Sequence, residues 1–443
     1  MRDNLSQLPK EPADRLTGPL MRFLQIEATA GIVLLLCTLV ALALANSPWS
    51  VSFLALWDIH AGISLGRSEV SRSLKHWIND GLMTLFFFVI ALELKREMVL
   101  GELQHPRVAA LPIAAAIGGM VVPAGVFLLI AGSGPGASGW GTVMSTDTAF
   151  VIGCLAVLGS RIPVSLRLFL LSLAIFDDVG AILVVGIGYG ESLNWAALGL
   201  ASLGFVMVAV IARLGIRSIA VYFAMGGGIW LALDASGVHA TLTGVILGLM
   251  TPARSWISDT RLHAILDKVV AYPPGEHWSE NTAARGDLHR AGVATREALS
   301  PIERLEIALH PWVAFGILPL FALANAGVPM ANASFDPQLT TAIFAAFVVG
   351  KPVGVLLFSF LAVKSRLGIR PSELSWGLLA AGALLTGIGF TMALFIADLA
   401  FEIELLNSVK LGVLGASLVS ATLGMLMLAW LTPSGQTSAP SIR

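Results

Sequence analysis

The sequence predicts an all-α polytopic membrane protein of about twelve transmembrane helices, and three observations carry that expectation. First, the 443 residues are 56% hydrophobic and only 12% charged, with a mean hydropathy of +0.82, where a soluble chain averages about 25% charged residues. Second, apolar stretches long enough to cross a hydrocarbon core recur along the chain, parted by turn residues or charges. Third, Lys and Arg crowd into alternate connections. The net charge of -1 is scattered and offers no basic stripe for a nucleic acid. Cys37 and Cys154 both lie in apolar runs and suggest neither a disulfide framework nor a metal site.

The spans fall near residues 24–46, 76–100, 107–131, 140–158, 164–189, 194–213, 218–233, 237–250, 305–327, 340–362, 375–398 and 409–431. Lys10, Arg15 and Arg22 precede span 1; Lys95, Arg96 and Arg107 join spans 2 and 3; Arg161 and Arg167 join 4 and 5. Arg213 and Arg217 follow span 6, and Lys364, Arg366 and Arg370 follow span 10, whereas the alternate connections after spans 3, 5, 7 and 9 carry no Lys or Arg. The positive-inside rule then puts both termini in the cytoplasm. The transmembrane domain covers residues 24–431, between a cytoplasmic segment 1–23 and a cytoplasmic tail 432–443. Residues 1–23 are too long and too acidic for a signal-peptide n-region, so span 1 is expected to remain in the mature protein.

Between spans 1 and 2, residues 57–73 contain Gly62 and Gly66 amid irregular apolar-polar alternation, which reads either as a small outer β-hairpin or as an ordinary outer loop. The unpaired edge of such a hairpin is a surface on which a second copy can pair. Span 2 ends in Glu93-Leu94-Lys95-Arg96-Glu97, with Glu93 and Glu97 one turn apart on the same side. They read either as a solvated helix end or as the rim of a cation-attracting funnel. Span 8 opens with Gly237-Val238-His239-Ala240-Thr241, where His239 is either a pH sensor or an interfacial histidine. Residues 251–304 form the one long polar stretch, expected as a partly disordered cytoplasmic loop. At its end Ser300-Pro301-Ile302-Glu303 has capping-box spacing with proline at the first helical position, so span 9 starts there.

Spans 4 and 11 are interrupted. Thr142-Val143-Met144-Ser145-Thr146-Asp147-Thr148 puts hydroxyls and an acid where apolar side chains belong, and Ser and Thr compete for backbone groups. Thr386-Gly387-Ile388-Gly389-Phe390-Thr391 is weak in the same way, since glycine is a poor helix former. Each is the middle span of a triplet, 3 to 5 and 10 to 12, and the two triplets start in opposite directions. That is the pattern of an inverted repeat whose broken helices meet at a substrate site. Asp147 is placed to compensate the positive ends of the half-helices.

Asp177 and Asp178 stand in the middle of the apolar run from Val164 to Tyr189. A single carboxylate at that depth costs roughly 2.5–3.5 kcal/mol on insertion scales, so the pair needs a purpose or a partner. Lys351, within Gly350-Lys351-Pro352 of span 10, is as costly alone. It either pairs with an aspartate of span 5 or compensates the negative ends of the broken helices. Pro352 follows it and Ala345 stands where a first glycine would be, so this is no phosphate-binding loop. Neighbouring residues are about 100° apart around a helix, so one aspartate can line a cavity while the other reaches another helix. Burial, mutual repulsion and an ammonium then set their titration jointly, and protons and a hard cation compete for the same oxygens.

The chain resembles the NhaA family of sodium/proton antiporters in Leu94-Lys95-Arg96-Glu97, Ser145-Thr146-Asp147, Phe176-Asp177-Asp178-Val179-Gly180-Ala181, Gly237-Val238-His239-Ala240-Thr241, His310-Pro311-Trp312 and Gly350-Lys351-Pro352. The resemblance runs from about Arg22 to Trp430. It implies an electrogenic exchanger of Na+ or Li+ for H+ in a bacterial inner membrane, serving Na+ and pH homeostasis without a cofactor. Asp177 and Asp178 would carry ions and protons, and Asp147 with Thr146 would sit where broken helices cross. Lys351 would pair with Asp177, while Glu93, Glu97, Glu306 and His310 would form a pH-sensing funnel. A homodimer joined through the outer hairpin would explain the basic Arg67, Arg72 and Lys75 outside. The family pattern admits a histidine after Glu306 and often a base at Glu303, where this chain has Ile307 and Glu303; pH activation is therefore expected to be shifted.

Three other classes compete. A cation channel would conduct without counter-movement of protons, and an organic-anion/sodium symporter would need a roomier site. An intramembrane aspartyl protease would need a Gly-x-Gly-Asp pattern, which is absent.

Overall fold

The computed structural model describes residues 27–65, 68–101, 104–132, 134–189, 193–216, 218–271, 282–330 and 335–432. The segment 1–23, Arg67, Tyr272-Pro273-Pro274-Gly275 and the tail beyond Thr432 lie outside them. Among the described residues, seven helices are long and apolar enough to cross a bilayer: Leu74–Val99, Pro106–Ala131, Val164–Gly186, Trp195–Arg213, Pro301–Asn325, Pro337–Lys364 and Ile403–Leu431. Two bent pairs, Gly136–Val143 with Thr148–Leu158 at 41° and Trp376–Thr386 with Phe390–Ala400 at 44°, raise the number to as many as nine. Large apolar side chains such as Leu129, Leu200, Leu203 and Leu426 stay exposed on these helices, the surface that hydrocarbon accepts and water does not.

Two expected spans, 1 and 8, are shorter than the hydropathy suggested, whereas span 7 is the apolar helix Ile219–Asp234, of the expected length. Span 1 is the apolar helix Thr29–Ala45. Span 8 shrinks to Leu242–Met250, about 13 Å of helix. Gly237 there has φ +80, a left-handed turn that keeps residues before Leu242 out of the helix. The polar stretch expected as a partly disordered loop contains two helices, Asp259–Val270 and Thr282–Ala298, which pack on each other. Acidic Asp259 in the first turn and Lys268 in the last suit the helix dipole. Its polarity concealed this periodicity.

The chain divides into two compact units. The first comprises Met1–Met83, Pro106–Glu191 and Pro311–Arg443. It carries the hairpin, with His60–Leu65 antiparallel to Ser68–Ser73 and His60 opposite Ser73. Trp77 Nε1 donates to the Ala61 carbonyl at 2.8 Å, tying the hairpin to the following helix. Pro106–Ala131 lies tightly along Lys351–Lys364. A Cβ at Gly118 would strike the Gly354 carbonyl, and one at Gly354 the Gly118 carbonyl, so glycine at both positions sets how close the helices come. Around Ala346–Gly350 the backbone widens into a π turn. Pro352 has no amide N–H to continue the regular ladder, and the irregular turn presents Lys351 at its end.

The second unit comprises Thr84–His105 and Ser192–His310. One cluster packs Ala201 and Val208 against Ile229, Ala232 and Leu233. Another packs Leu92 with Ala253 and Ile302. The capping box read from sequence is formed: Ser300 N and Oγ donate to Glu303 Oε2 at 2.9 and 2.8 Å, and Glu303 N donates back to Ser300 Oγ at 3.3 Å.

Candidate functional site

Asp177 and Asp178 occupy the middle of the helix Val164–Gly188, and both are fully buried. Being neighbours, they point different ways. Asp177 Oδ2 lies 3.1 Å from Lys351 Nζ and accepts from Thr146 Oγ1 at 2.6 Å. Asp178 Oδ2 accepts from Thr148 Oγ1 at 3.2 Å. Among the described residues, no protein donor meets the buried Asp177 Oδ1 or Asp178 Oδ1, which is costly unless a proton or cation serves them. Hard monovalent cations and protons both bind such oxygens.

The breaks in the two bent pairs build the rest of the site. Ser145–Asp147 runs without helical structure between Pro135–Val143 and Thr148–Leu158, and Gly387–Gly389 does so between Trp376–Thr386 and Phe390–Ala400. Asp147 N donates to the Ile388 carbonyl at 2.6 Å across the two breaks. Asp147 is the N-cap of its own half-helix, accepting from Phe150 N at 3.1 Å through Oδ1. Its Oδ2 accepts from Thr391 N at 2.9 Å and Thr391 Oγ1 at 2.5 Å, in the first turn of the other pair's second half-helix. One carboxylate thus accepts from donors in the first turns of two half-helices, where the helix dipole is positive. A Cβ at Gly389 would run into the Phe347 ring, so the break in span 11 can lie on that ring only with glycine there.

Lys351 Nζ meets both a carboxylate and a backbone carbonyl. Besides Asp177, its Nζ donates at 2.5 Å to the carbonyl of Met144, just past the end of Pro135–Val143. It answers a negative helix end and a carboxylate together. Thr146 has one hydroxyl proton and two acceptors, Asp177 Oδ2 and, at 3.1 Å, the Thr386 carbonyl. It can serve only one at a time.

The remaining candidates belong to the second unit. Glu306 and Glu97 are joined by Arg96, whose Nη1 is 2.5 Å from Glu306 Oε1 and whose Nη2 is 3.4 Å from Glu97 Oε1. Glu93 lies half-buried one turn before Glu97, and His310 is exposed at the far end of the helix from Glu303. His239 sits in the turn before Leu242–Met250, where its carbonyl accepts from Leu242 N at 3.1 Å. Ile307 is exposed, while Glu303, which departs from the family pattern, is the acid of the capping box.

Three participants escaped the sequence reading: Thr148, Thr391 and Arg96. Thr148 and Thr391 lay within the quoted breaks, but a hydroxyl run does not say which hydroxyl meets which carboxylate. Arg96 entered through the orientation rule and the Leu94-Lys95-Arg96-Glu97 motif without a role of its own, although its place between two acids of span 2 was a signal.

The sequence profile described as Na+/H+ antiporter 1 matches residues 21–428. The Na(+)/H(+) antiporter NhaA of Rhizobium meliloti (strain 1021) is 75% identical over 432 residues, covering 98% of this chain and 99% of the relative. Na(+)/H(+) antiporter NhaA 2 of Acidiphilium cryptum (strain JF-5) is 57% identical over 97% of this chain and 96% of its own length. The Vibrio vulnificus (strain CMCP6) antiporter NhaA 2 is 52% identical over 96% of each. With its apolar helices and buried acids, the chain belongs to the NhaA family of Na+/H+ antiporters, secondary transporters of the bacterial inner membrane and not enzymes.

Proposed function

We propose that this protein exchanges Na+ or Li+ for H+ electrogenically, on oxygens that the two species occupy in turn. The single observation carrying the reading is the pair of donorless buried oxygens, Asp177 Oδ1 and Asp178 Oδ1, beside Lys351. A cation bound by Asp178, with Thr148 and the backbone of the breaks around it, leaves when protons take the carboxylates. When Asp177 takes a proton, it can donate to Thr146 Oγ1, whose own proton turns to the Thr386 carbonyl. Two protons per monovalent ion would move one net charge, worth roughly 2.3 kcal/mol per 100 mV. No cofactor is needed: the ions are the substrates.

The finer architecture belongs to the same reading. Twelve spans within residues 24–431 form inverted repeats in which spans 4 and 11 cross, and the hydrogen bonds of Asp147 to Ile388 and Thr391 support that crossing. Both termini are cytoplasmic, as the basic connections indicate. Glu93, Glu97, Glu306, His310 and His239 adjust activity to cytoplasmic pH, and the outer hairpin joins two copies through its free edge.

Proteoliposomes with an imposed proton gradient and an internal pH dye test the exchange. Added Na+ or Li+ should dissipate the gradient and K+ should not. A gradient indifferent to all of them would end the reading.

A further inference from the structure

A second polar network lies in the first unit, outside the aspartate site. Lys75 Nζ is ion-paired with Asp398 Oδ1. Asn79 Nδ2 donates to Asp398 Oδ2 at 2.8 Å and to Asn325 Oδ1 at 3.3 Å, while Asn325 Nδ2 donates back to Asn79 Oδ1 at 2.7 Å. Asn325 also donates to the Phe321 carbonyl at 3.1 Å. Lys410 is buried within electrostatic reach of both Lys75 and Asp398. These groups come from four helices: Leu74–Val99, Pro301–Asn325, Phe390–Ala400 and Ile403–Leu431.

We infer that Lys75 and Asp398, backed by the Asn79–Asn325 amide pair, form an outer latch that must open for the ion site to reach the outer side. The inference rests on the proposed exchange and orientation. Its physical basis is the helix Phe390–Ala400, which carries Thr391 at one end and Asp398 at the other. Seven residues of helix separate them by about 10 Å along the axis and return nearly to the same face. Thr391 is bound to Asp147 at the ion site through both its N and its Oγ1. Any displacement of this short helix that opens the outer side is therefore resisted at its far end by an ion pair and a charged hydrogen bond. Lys75 and Asp398 are only 27% and 18% exposed, so water screens the pair weakly. Asn79 and Asn325 satisfy each other when the latch is shut; opening must rehydrate them, which makes the two states discrete.

A reversible cross-link tests this. Cys37 and Cys154 are replaced by alanine, Lys75→Cys and Asp398→Cys are added, and bis-methanethiosulfonate spacers of graded length are applied to the reconstituted protein. Joining is verified by mass spectrometry. Exchange should fall about tenfold or more on joining and return on reduction, as for any gate that opens once per cycle. Undiminished exchange through a verified link overturns the latch, and so does failure of every spacer to join two cysteines that each react singly. A cysteine-free parent that moves neither Na+ nor Li+ removes the exchange reading itself, and the latch falls with it; exchange by the parent separates the two.

Asp398→Asn gives a second measurement that does not need cysteines. It should lower the apparent KM for Na+ from the outer side and raise it from the inner side, by about threefold each, because it shifts a two-state population. A merely structural pair would change the amount of protein and leave both sides equal. Equal shifts, or none, overturn the proposal.

Discussion

Lys351 Nζ stands 3.1 Å from Asp177 Oδ2 with neither side chain reached by solvent, and the same ammonium donates to the Met144 carbonyl. Breaking a buried pair from one side leaves an uncompensated charge, which costs about 3–5 kcal/mol. Lys351→Ala should therefore lower the thermal unfolding temperature of the purified protein by many degrees. Adding Asp177→Asn to Lys351→Ala should recover most of that loss, since no charge is then stranded. An unfolding temperature that the single substitution leaves unchanged would remove the pair from the stabilising interactions.

Among the described residues, Asp178 accepts from Thr148 through Oδ2 and its Oδ1 meets no donor, so that oxygen is free for an ion. Asp178→Asn keeps the shape and can still accept from Thr148. Expression and thermal stability should stay close to those of the parent, while Na+-driven proton movement in vesicles disappears. Retained exchange would take Asp178 out of the binding site.

Thr146 distinguishes a positioning role from packing. Its hydroxyl is shared between Asp177 and the Thr386 carbonyl, so Thr146→Ser keeps the rotor and Thr146→Val, similar in volume, removes it. The loss of a hydrogen bond to a charged acceptor is worth about 1.5–3 kcal/mol. Thr146→Val should displace the pH profile of exchange, and Thr146→Ser should restore it. Identical profiles for both would assign Thr146 to packing alone.

The membrane class, the two interruptions and the buried acids were legible because hydrocarbon leaves so few options: an Asp or Lys inside an apolar run has to be answered, and a Gly-rich or hydroxyl-rich break has to be satisfied. Hence Asp147, Asp177, Asp178 and Lys351 were named from sequence, as was the capping box at Ser300. The Lys75–Asp398 latch was not legible. Lys75 stands in the sequence as an exception to a topological rule and Asp398 is only the last residue of span 11, because a pairing between residues so far apart in the chain leaves no local pattern. The helices Asp259–Val270 and Thr282–Ala298 were missed for the opposite reason. Their apolar residues are spaced helically, but the many charges between them lower the hydropathy and mask that periodicity.

Arg96 between Glu97 and Glu306 predicts an effect on pH response without an effect on the ion site. Arg96→Gln removes a countercharge that the structure places on Glu306, leaving the like charges of Glu97 and Glu303 beside it. The pH at which exchange switches on should move by about one unit, with the maximal rate little changed. Dye-monitored exchange across a pH series measures both. A collapsed maximal rate with an unmoved midpoint would instead make Arg96 a structural residue.

Asp147 and Thr391 offer the last test, because one carboxylate caps two half-helices. Asp147→Asn can still cap Thr148–Leu158 through its amide oxygen, since Asn is as good an N-cap as Asp. Its NH2 group, however, then faces Thr391 N and Oγ1, the donors that Oδ2 accepts from. Thr391→Val removes the hydroxyl half of that contact only. If the two residues act as a unit, their effects on stability should be non-additive, with a coupling of about 0.5–3 kcal/mol. Thermal unfolding of the two single variants and the double variant closes this cycle. Additive losses would mean that the two half-helices are capped independently, and that Asp147 does not hold the breaks of spans 4 and 11 together.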